Sequence, residues 1–440
     1  MSMKRALYSL ILYLLFPFVI LRLLWKSLSN PAYRQRITER LGLVKIKNNK
    51  PVIWIHAVSV GETIAAKPLI EALIEQYPDN QILVTTTTPT GSDQVKSLFS
   101  DRVAHVYYPY DLPEIVYRFL NRIKPKLLIV IETEIWPNLF AACSKRKIPI
   151  IIANARLSDR STAAYLKIRG LISETLQHVT TLAVRSQKDA DNFKKLGAQT
   201  GQIQITGNIK FDIELDKQQV EQGRQRKQQW GITRPVWVAA STHAGEDEEI
   251  LHIYKSLLNS IEDLLLVLIP RHPERFDQVY ELCEELCNEL ESKRIKTARH
   301  TQLSQLNKYD DIKGKKKSID DINIIVGDSM GEMHSWFAAA DVVFIGGSLV
   351  NTGGHNPLEA IIQGVPVVSG PYMFNFDDIV TQLQDSSLLT ICQTPADIES
   401  TIKKLLQADK SSFQEEAKAL MQPLRGVTKR LVGLIRQLFP

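Results

Sequence analysis

Cysteine is scarce: four in 440 residues, Cys143, Cys283, Cys287 and Cys392. Cys283 and Cys287 stand four apart on an expected helix, and a zinc site needs more ligands nearby. A chain of this length buries a core large enough to need no staples, and free thiols suit a reducing compartment. Two nucleotide fingerprints are missing as well. No G-x-G-x-x-G follows the first expected strand, which disfavours a dehydrogenase, and there is no G-x-x-x-x-G-K-[ST]. Acid is nearly absent from the first 50 residues, which hold ten basic side chains against Glu39 alone, net +9. The whole chain is only +6, so the rest nets −3, and the basic character does not describe a nucleic-acid groove. Asp189 and Asp191 do not form a metal pair, because residues two apart on a helix diverge.

What is present begins with "ALYSLILYLLFPFVIL", Ala6 to Leu21, uncharged and strongly apolar. Counted on through Trp25 it reaches the ~20 residues that span a bilayer core, with Arg22 able to snorkel. No small-residue cleavage site follows, and Lys26, Arg34, Arg36, Arg40, Lys45 and Lys47 come next. The positive-inside rule then predicts a single anchor over 1–25 with the body on the cytoplasmic side. Pro17 and Arg22 leave both a span and an interfacial helix open.

From Pro51 onward, near-continuous apolar runs alternate with helical stretches, the pattern of parallel sheets covered on both faces. Strands are predicted at 52–56, 82–86, 103–107, 127–132, 149–153, 180–184 and 203–206. A second set is predicted at 236–240, 264–269, 322–326, 342–345, 366–369 and 388–391. The polar stretch 213–234 reads as a linker with one helix. It separates an α/β domain over 26–212 from a second over 235–440, whose last helices can pack back on the first. Residues 297–321, which include "KGKKK", read as an insertion loop. The fold class is α/β, two doubly wound domains facing a cleft, with ligands beyond the strand C-termini.

The motifs fall at those ends. In "IWIHAVSVGETIAAKPLI" a strand turns into a helix whose first carboxylate is Glu62. A phosphate would be repelled there. An ionised acid suits removal of a proton from an alcohol, although Glu at a helix start is also an ordinary cap. The helix dipole is expected to keep it ionised at neutral pH. "VIETEIWPN" ends a strand with Glu132 and Glu134 on one face, and Lys210 in "TGNIKFD" can meet an anion. Arg271, His272 and Arg275 cluster in "LIPRHPERF". Gly331 and Glu332 open one helix. Gly353-Gly354-His355-Asn356-Pro357 lead into another, whose N–H groups suit a phosphate and whose Glu359 suits a ribose diol.

Together "HAVSVGE", "ETEIWPN", "ANARLSDRS", "TGNIKFD", "PRHPERF", "GDSMGE" and "GGSLVNTGGHNPLEA" resemble the signature blocks of the lipid A Kdo (3-deoxy-D-manno-octulosonic acid) transferases, in order along nearly the whole chain. The resemblance implies a GT-B fold with two Rossmann-like domains. It implies an inner-membrane enzyme of Gram-negative bacteria that moves Kdo from CMP-Kdo to a lipid A precursor (lipid IVA). Transfer inverts the anomeric centre and uses no cofactor or bound metal. Carried over by position, Glu62 is the general base, and Glu132 and Lys210 stabilise the transition state. Pro270, Arg271, Met330, Gly331, Glu332, Asn356, Pro357, Leu358 and Glu359 line the CMP site. Lys210 can pair with the donor phosphate or with the carboxylate of Kdo. The alternatives are a UDP-sugar donor on the same fold, or a membrane-tethered binding protein without catalysis. The basic loop at 313–317 has no place in the family pattern.

Overall fold

The structure, a computed structural model, describes residues 2–46, 50–290, 295–303 and 322–439. Residues 313–317 and most of the expected 297–321 loop lie outside these. The chain forms two compact units, residues 1–212 with 424–440, and residues 213–423.

The first unit is built on seven parallel strands: β1 (Val52–His56), β2 (Gln81–Thr86), β3 (Ala104–Tyr107), β4 (Pro125–Ile131), β5 (Ile150–Ala155), β6 (Thr181–Val184) and β7 (Ile203–Ile205). Their order is β3-β2-β1-β4-β5-β6-β7, so the winding reverses between β1 and β4. Both sheet faces are dry. Trp54, Leu128, Val130, Ile150 and Ile152 pack on one side, and Ile53, Ile55, Ile129, Ile131 and Ile151 on the other. That is why the strands read as unbroken apolar runs rather than alternations. Phe119 anchors the first face from the helix Pro113–Ile123, whose buried residues recur at helical spacing. Truncating such a ring costs about 3–5 kcal/mol. The second face is closed by the helices Val60–Gln76 and Val427–Leu438, through Leu69, Ile70, Val427, Leu431 and Ile435. Asp212 fixes the start of the latter by accepting from the Gly426 N–H at 2.6 Å and from the Thr428 N–H.

The N-terminal helix runs Met3–Ser29, longer than the expected anchor, and is long and apolar enough to cross a membrane. It also lies against the first unit through polar groups. Tyr8 Oη donates to Asp111 at 3.1 Å, Ser9 meets Asn138 at 3.0–3.2 Å, and Tyr13 Oη donates to Glu114. Leu7, Leu14, Phe18, Leu21, Trp25 and Leu28 remain exposed, spaced three, four or seven apart on one stripe.

The second unit repeats the plan with β8 (Val236–Thr242), β9 (Leu265–Pro270), β10 (Thr297–Arg299), β11 (Ile324–Val326), β12 (Val342–Ile345), β13 (Val367–Ser369) and β14 (Leu389–Ile391). The order is β10-β11-β9-β8-β12-β13-β14, with its reversal between β8 and β12. Thr297–Arg299, expected in a loop, is instead an edge strand. It is three residues long and, among the described residues, paired on β11 alone, too short to leave an apolar period. The helix Lys217–Trp230, within the stretch read as a linker, packs on the helix Met333–Ala339. Approach is close at Gly223, where a Cβ would stand 2.2 Å from the Ser335 carbonyl oxygen.

Candidate active site

In open α/β sheets, ligands bind beyond strand C-termini where the winding reverses. In the first unit that position lies between β1 and β4, and the acids of the two motifs come from the segments that follow these strands. Ser59 caps the Val60–Gln76 helix, its Oγ accepting from the Glu62 N–H at 3.3 Å. Glu62 answers with both oxygens, accepting from the Val58 N–H at 2.7 Å and from Ser59 Oγ at 3.1 Å. This reciprocal cap aims the side chain back over the strand end.

The charge state differs from the expectation of an acid held ionised by the helix dipole. Burial pushes the Glu62 carboxyl up to about 7, the Val58 N–H opposes this, and Glu132 and Glu134 push it further up. The dipole acts on an exposed carboxylate in a first turn. Here desolvation and two like charges outweigh it.

Glu132 and Glu134 do not share a strand face, because β4 ends at Ile131. Glu132 sits at φ +60°, a left-handed conformation that costs a non-glycine residue about 1–3 kcal/mol. It is held there by its N–H donating to Ala153 O at 2.9 Å and by Arg156, whose Nε lies 3.0 Å from Oε2. Burial pushes Glu134 up to about 7 and the charge of Glu132 adds to this. Asn154, the penultimate residue of β5, is also left-handed at φ +55°. Its Oδ1 accepts from the Ile209 N–H at 3.0 Å, and Asn208 Oδ1 accepts from the Lys210 N–H at 3.1 Å. The turn Ile209–Phe211 that carries Lys210 is thereby fixed against the Val60–Gln76 helix.

The second unit gathers most of the expected nucleotide residues. Pro270, Arg271, Met330, Gly331 and Glu332 line one pocket with Ser241, a third residue at a strand end with positive φ (+59°). Arg271 makes no ion pair among the described residues. Burial pushes Glu332 up, but the hydrogen bond from Ser329 Oγ at 2.5 Å, the Arg226 guanidinium and His300 leave it below the usual range. Arg226 Nη2 is 3.3 Å from Glu332 Oε1 while its guanidinium lies over Trp336 at 4.1 Å.

Asn356, Pro357, Leu358 and Glu359 form a separate corner. The helix here is only four residues, Leu358–Ile361. Asn356 Oδ1 accepts from the Leu358 N–H at 3.1 Å, and the Leu358 side chain is fully buried, so it offers a ligand no surface of its own. Burial raises Glu359, which accepts from Asn356 Nδ2 at 3.2 Å and faces His334 Nε2 at 3.6 Å. Because His334 Nδ1 accepts from the Asp216 N–H at 3.1 Å, a neutral ring carries its proton on Nε2 and presents it to Glu359.

The sequence reading missed the residue that organises the reversal point of this unit. Glu246 is fully buried and accepts from the N–H groups of Gly347 (2.7 Å), Ser348 (2.9 Å), Leu349 (2.8 Å) and His243 (2.8 Å). Three consecutive amides that would cradle an anion are already filled by the chain's own carboxylate. Glu246 follows the first strand of its sheet as Glu62 follows β1, and this shared placement was the available signal. Among the described residues no group of three or more His, Cys, Asp or Glu is arranged to hold a metal ion.

Comparison with known proteins identifies the family. Residues 35–213 match the family described as 3-deoxy-D-manno-octulosonic-acid transferase (kdotransferase). The 3-deoxy-D-manno-octulosonic acid transferase of Bordetella pertussis is 32% identical over 87% of this chain and 86% of its own. A solved UDP-GlcNAc 2-epimerase from Neisseria meningitidis, bound to UDP-GlcNAc, aligns with 88% of this chain and all of its own at 14% identity and TM-score 0.54, a likeness of the two-domain GT-B fold. The 3-deoxy-D-manno-octulosonic acid transferase of Haemophilus influenzae is 37% identical over 99% of this chain and 98% of its own, and the chain belongs to that family of glycosyltransferases.

Proposed function

We propose that this Kdo transferase of lipopolysaccharide synthesis takes the sugar from CMP-Kdo and delivers it to a lipid A precursor, lipid IVA, with Glu62 as the base. The observation that carries the reading is a half-buried carboxyl at the reversal point of the first sheet with its pKa pushed up to about 7. A group poised there is ionised in substantial part at neutral pH and still basic enough to take a hydroxyl proton. Its environment has the combination of desolvation and like charge that marks working acids and bases.

In this reading the acceptor hydroxyl gives its proton to Glu62 as its oxygen attacks the anomeric carbon on the face opposite the departing phosphate, which inverts that centre. Positive character growing on the sugar is met by Glu132, and Lys210 holds an anionic group of the donor. Arg271, at the end of β9, meets the charge that collects on the leaving phosphate. Glu359, presented with His334, receives the ribose hydroxyls. No metal or other cofactor has a part in these steps.

The polar contacts of Tyr8, Ser9 and Tyr13 favour an N-terminal helix lying along the body in the membrane interface. A helix standing across the bilayer would carry these groups away from their partners. The basic residues after it then sit at the cytoplasmic leaflet of the inner membrane.

The test is mass spectrometry of the products formed by purified protein from CMP-Kdo and lipid IVA. Added Kdo mass supports the reading. Turnover of a UDP-sugar in its place, or none with either donor, defeats it.

A further inference from the structure

Three histidines stand together at the C-terminal ends of neighbouring strands in the second sheet. His243 follows β8, His272 follows β9 and His355 lies in the loop after β12. Nε2 of His243 and Nε2 of His355 are 2.9 Å apart, with ring centroids 5.2 Å apart and ring planes within 11° of each other, so the rings meet edge to edge. His272 meets His243 edge-on at 5.4 Å. Two neutral imidazoles joined through their Nε2 atoms share one proton between them. One more proton gives a charged N–H···N pair with hydrogens on both Nδ1 atoms.

The surroundings supply cation but little free anion. From the β9 side come Arg271, His272 and Arg275, with Glu274, whose Oε1 stands 4.0 Å from His272 Nδ1 and whose side chain is mostly exposed. From the β8 side come Glu246 and Asp247. The β12 loop, residues 346–357, brings no ionisable group besides His355. Glu246 is occupied by its four N–H donors, and Asp247 pairs with Arg275 and accepts from Thr242 Oγ1 at 2.6 Å. Burial drives His355 down to about 4, and Arg271, His243 and His272 add to this. Burial also lowers His243, against Glu246 and together with His272, Arg271 and Arg275. What this cluster lacks is an external anion.

We propose that the His243–His355 pair is a proton-accepting anion site beside Arg271, which takes up one proton as the donor phosphate binds and holds it as that phosphate leaves. The proposal rests on the reading of a CMP-activated donor. In such a donor the phosphate is a diester with one charge. Transfer breaks the bond between the anomeric carbon and the phosphate oxygen, and the electron pair stays on that oxygen. A monoester with a second negative charge departs. The acceptor oxygen forms the new bond and its proton goes to Glu62. The extra charge on the phosphate is met by the proton already held on the imidazole pair, which costs no rearrangement at the moment of reaction.

Calorimetry of the full chain with CMP, in buffers of differing ionisation enthalpy, reads the protons taken up, and cytidine serves as the ligand without phosphate. Wild type is expected to take up a proton with CMP and none with cytidine. His355→Gln and His243→Gln should abolish the uptake. Each should weaken CMP roughly tenfold at pH 6.5, as for one charge-assisted contact, and about twofold or less at pH 8.5, with cytidine affinity unchanged. If both variants weaken CMP and cytidine equally at every pH, the pair is structural and the proposal falls. CMP binding by wild type without proton uptake also removes the proposal and leaves the donor reading standing. Absence of CMP binding at any pH removes both.

Discussion

The Glu62 carboxylate accepts a hydrogen bond from the Val58 N–H at 2.7 Å, so the proposed base is also part of the cap that starts its own helix. Truncation therefore confounds chemistry with folding, and the amide separates them. Glu62→Gln keeps an oxygen for Val58, reverses the Ser59 contact so that the amide donates to Oγ, and loses the basicity. Turnover should fall by roughly 10²–10⁴, with the unfolding temperature and CMP affinity near wild type. Glu62→Ala should lose turnover and also about 1 kcal/mol of cap stability. Normal turnover in the Gln variant would move the base to Glu134.

The pH dependence follows from the same burial. As the proposed base, Glu62 must be ionised to act and its carboxyl is raised to about 7, so activity should rise with pH through that value. Glu134 adds to the shift by like charge. Glu134→Gln should therefore move the acidic limb of kcat to lower pH, since Glu62 ionises more readily without this neighbour. A limb that stays in place, or moves up, contradicts the electrostatic link between the two acids.

Stability should run the opposite way. A carboxyl raised in the folded state favours folding while protonated, and this contribution is lost as pH rises through its folded pKa. At Glu62 and Glu134 the window lies between the ordinary value of 4.5 and about 7. Thermal unfolding of Glu134→Gln compared with wild type should show a gain at pH 8 that shrinks toward pH 4. Equal differences at both pH values would mean that the desolvation is relieved by water.

The strands were legible because a parallel strand covered on both faces must be apolar throughout, and 52–56 or 342–345 can be little else. The motif acids and Arg271 were legible as polar groups at the ends of such runs. The protonation of Glu62 was not, since it depends on Glu132 and Glu134, some 70 residues away and placed by a left-handed turn that no local pattern announces. Glu246 was hidden for a similar reason: its partners, Gly347 to Leu349, are about 100 residues distant. The polar docking of the N-terminal helix was masked by its composition. Tyr8, Ser9 and Tyr13 look like minor interruptions of an apolar run until Asp111, Asn138 and Glu114 are seen opposite.

At the residues proposed to hold the nucleotide the expected effect is on affinity. Arg271→Ala and Glu359→Ala each remove one charge-assisted contact, about 1.5–3 kcal/mol, or roughly 10- to 150-fold in the Kd for CMP. Arg271 makes no ion pair among the described residues, so its loss should leave thermal stability nearly unchanged. Glu359 faces His334 and Asn356, so its variant needs an unfolding control. Unchanged CMP affinity in both would take the nucleotide site away from this unit.

The N-terminal helix has two faces, and they should separate in experiment. Leu14, Phe18 and Trp25 are 67%, 67% and 72% exposed on the outer stripe, while Tyr8 and Ser9 hold the inner one. Each large apolar side chain moved from water into an apolar layer is worth about 1.5–3 kcal/mol. The triple variant Leu14→Gln, Phe18→Gln, Trp25→Gln should thus lose several powers of ten in partition to anionic vesicles. Its unfolding temperature should hold, because none of the three packs on the body. Tyr8→Phe should do the reverse. It leaves Asp111 without one of its donors inside the unit, lowering stability by about 1–3 kcal/mol, and it keeps the membrane stripe intact. Vesicle flotation and thermal unfolding on both proteins make the comparison. A triple variant that still floats with the vesicles would show that the membrane is held elsewhere on the chain. A Tyr8→Phe protein that detaches would mean that docking and membrane binding are one event, and the helix could not be treated as an independent interfacial anchor.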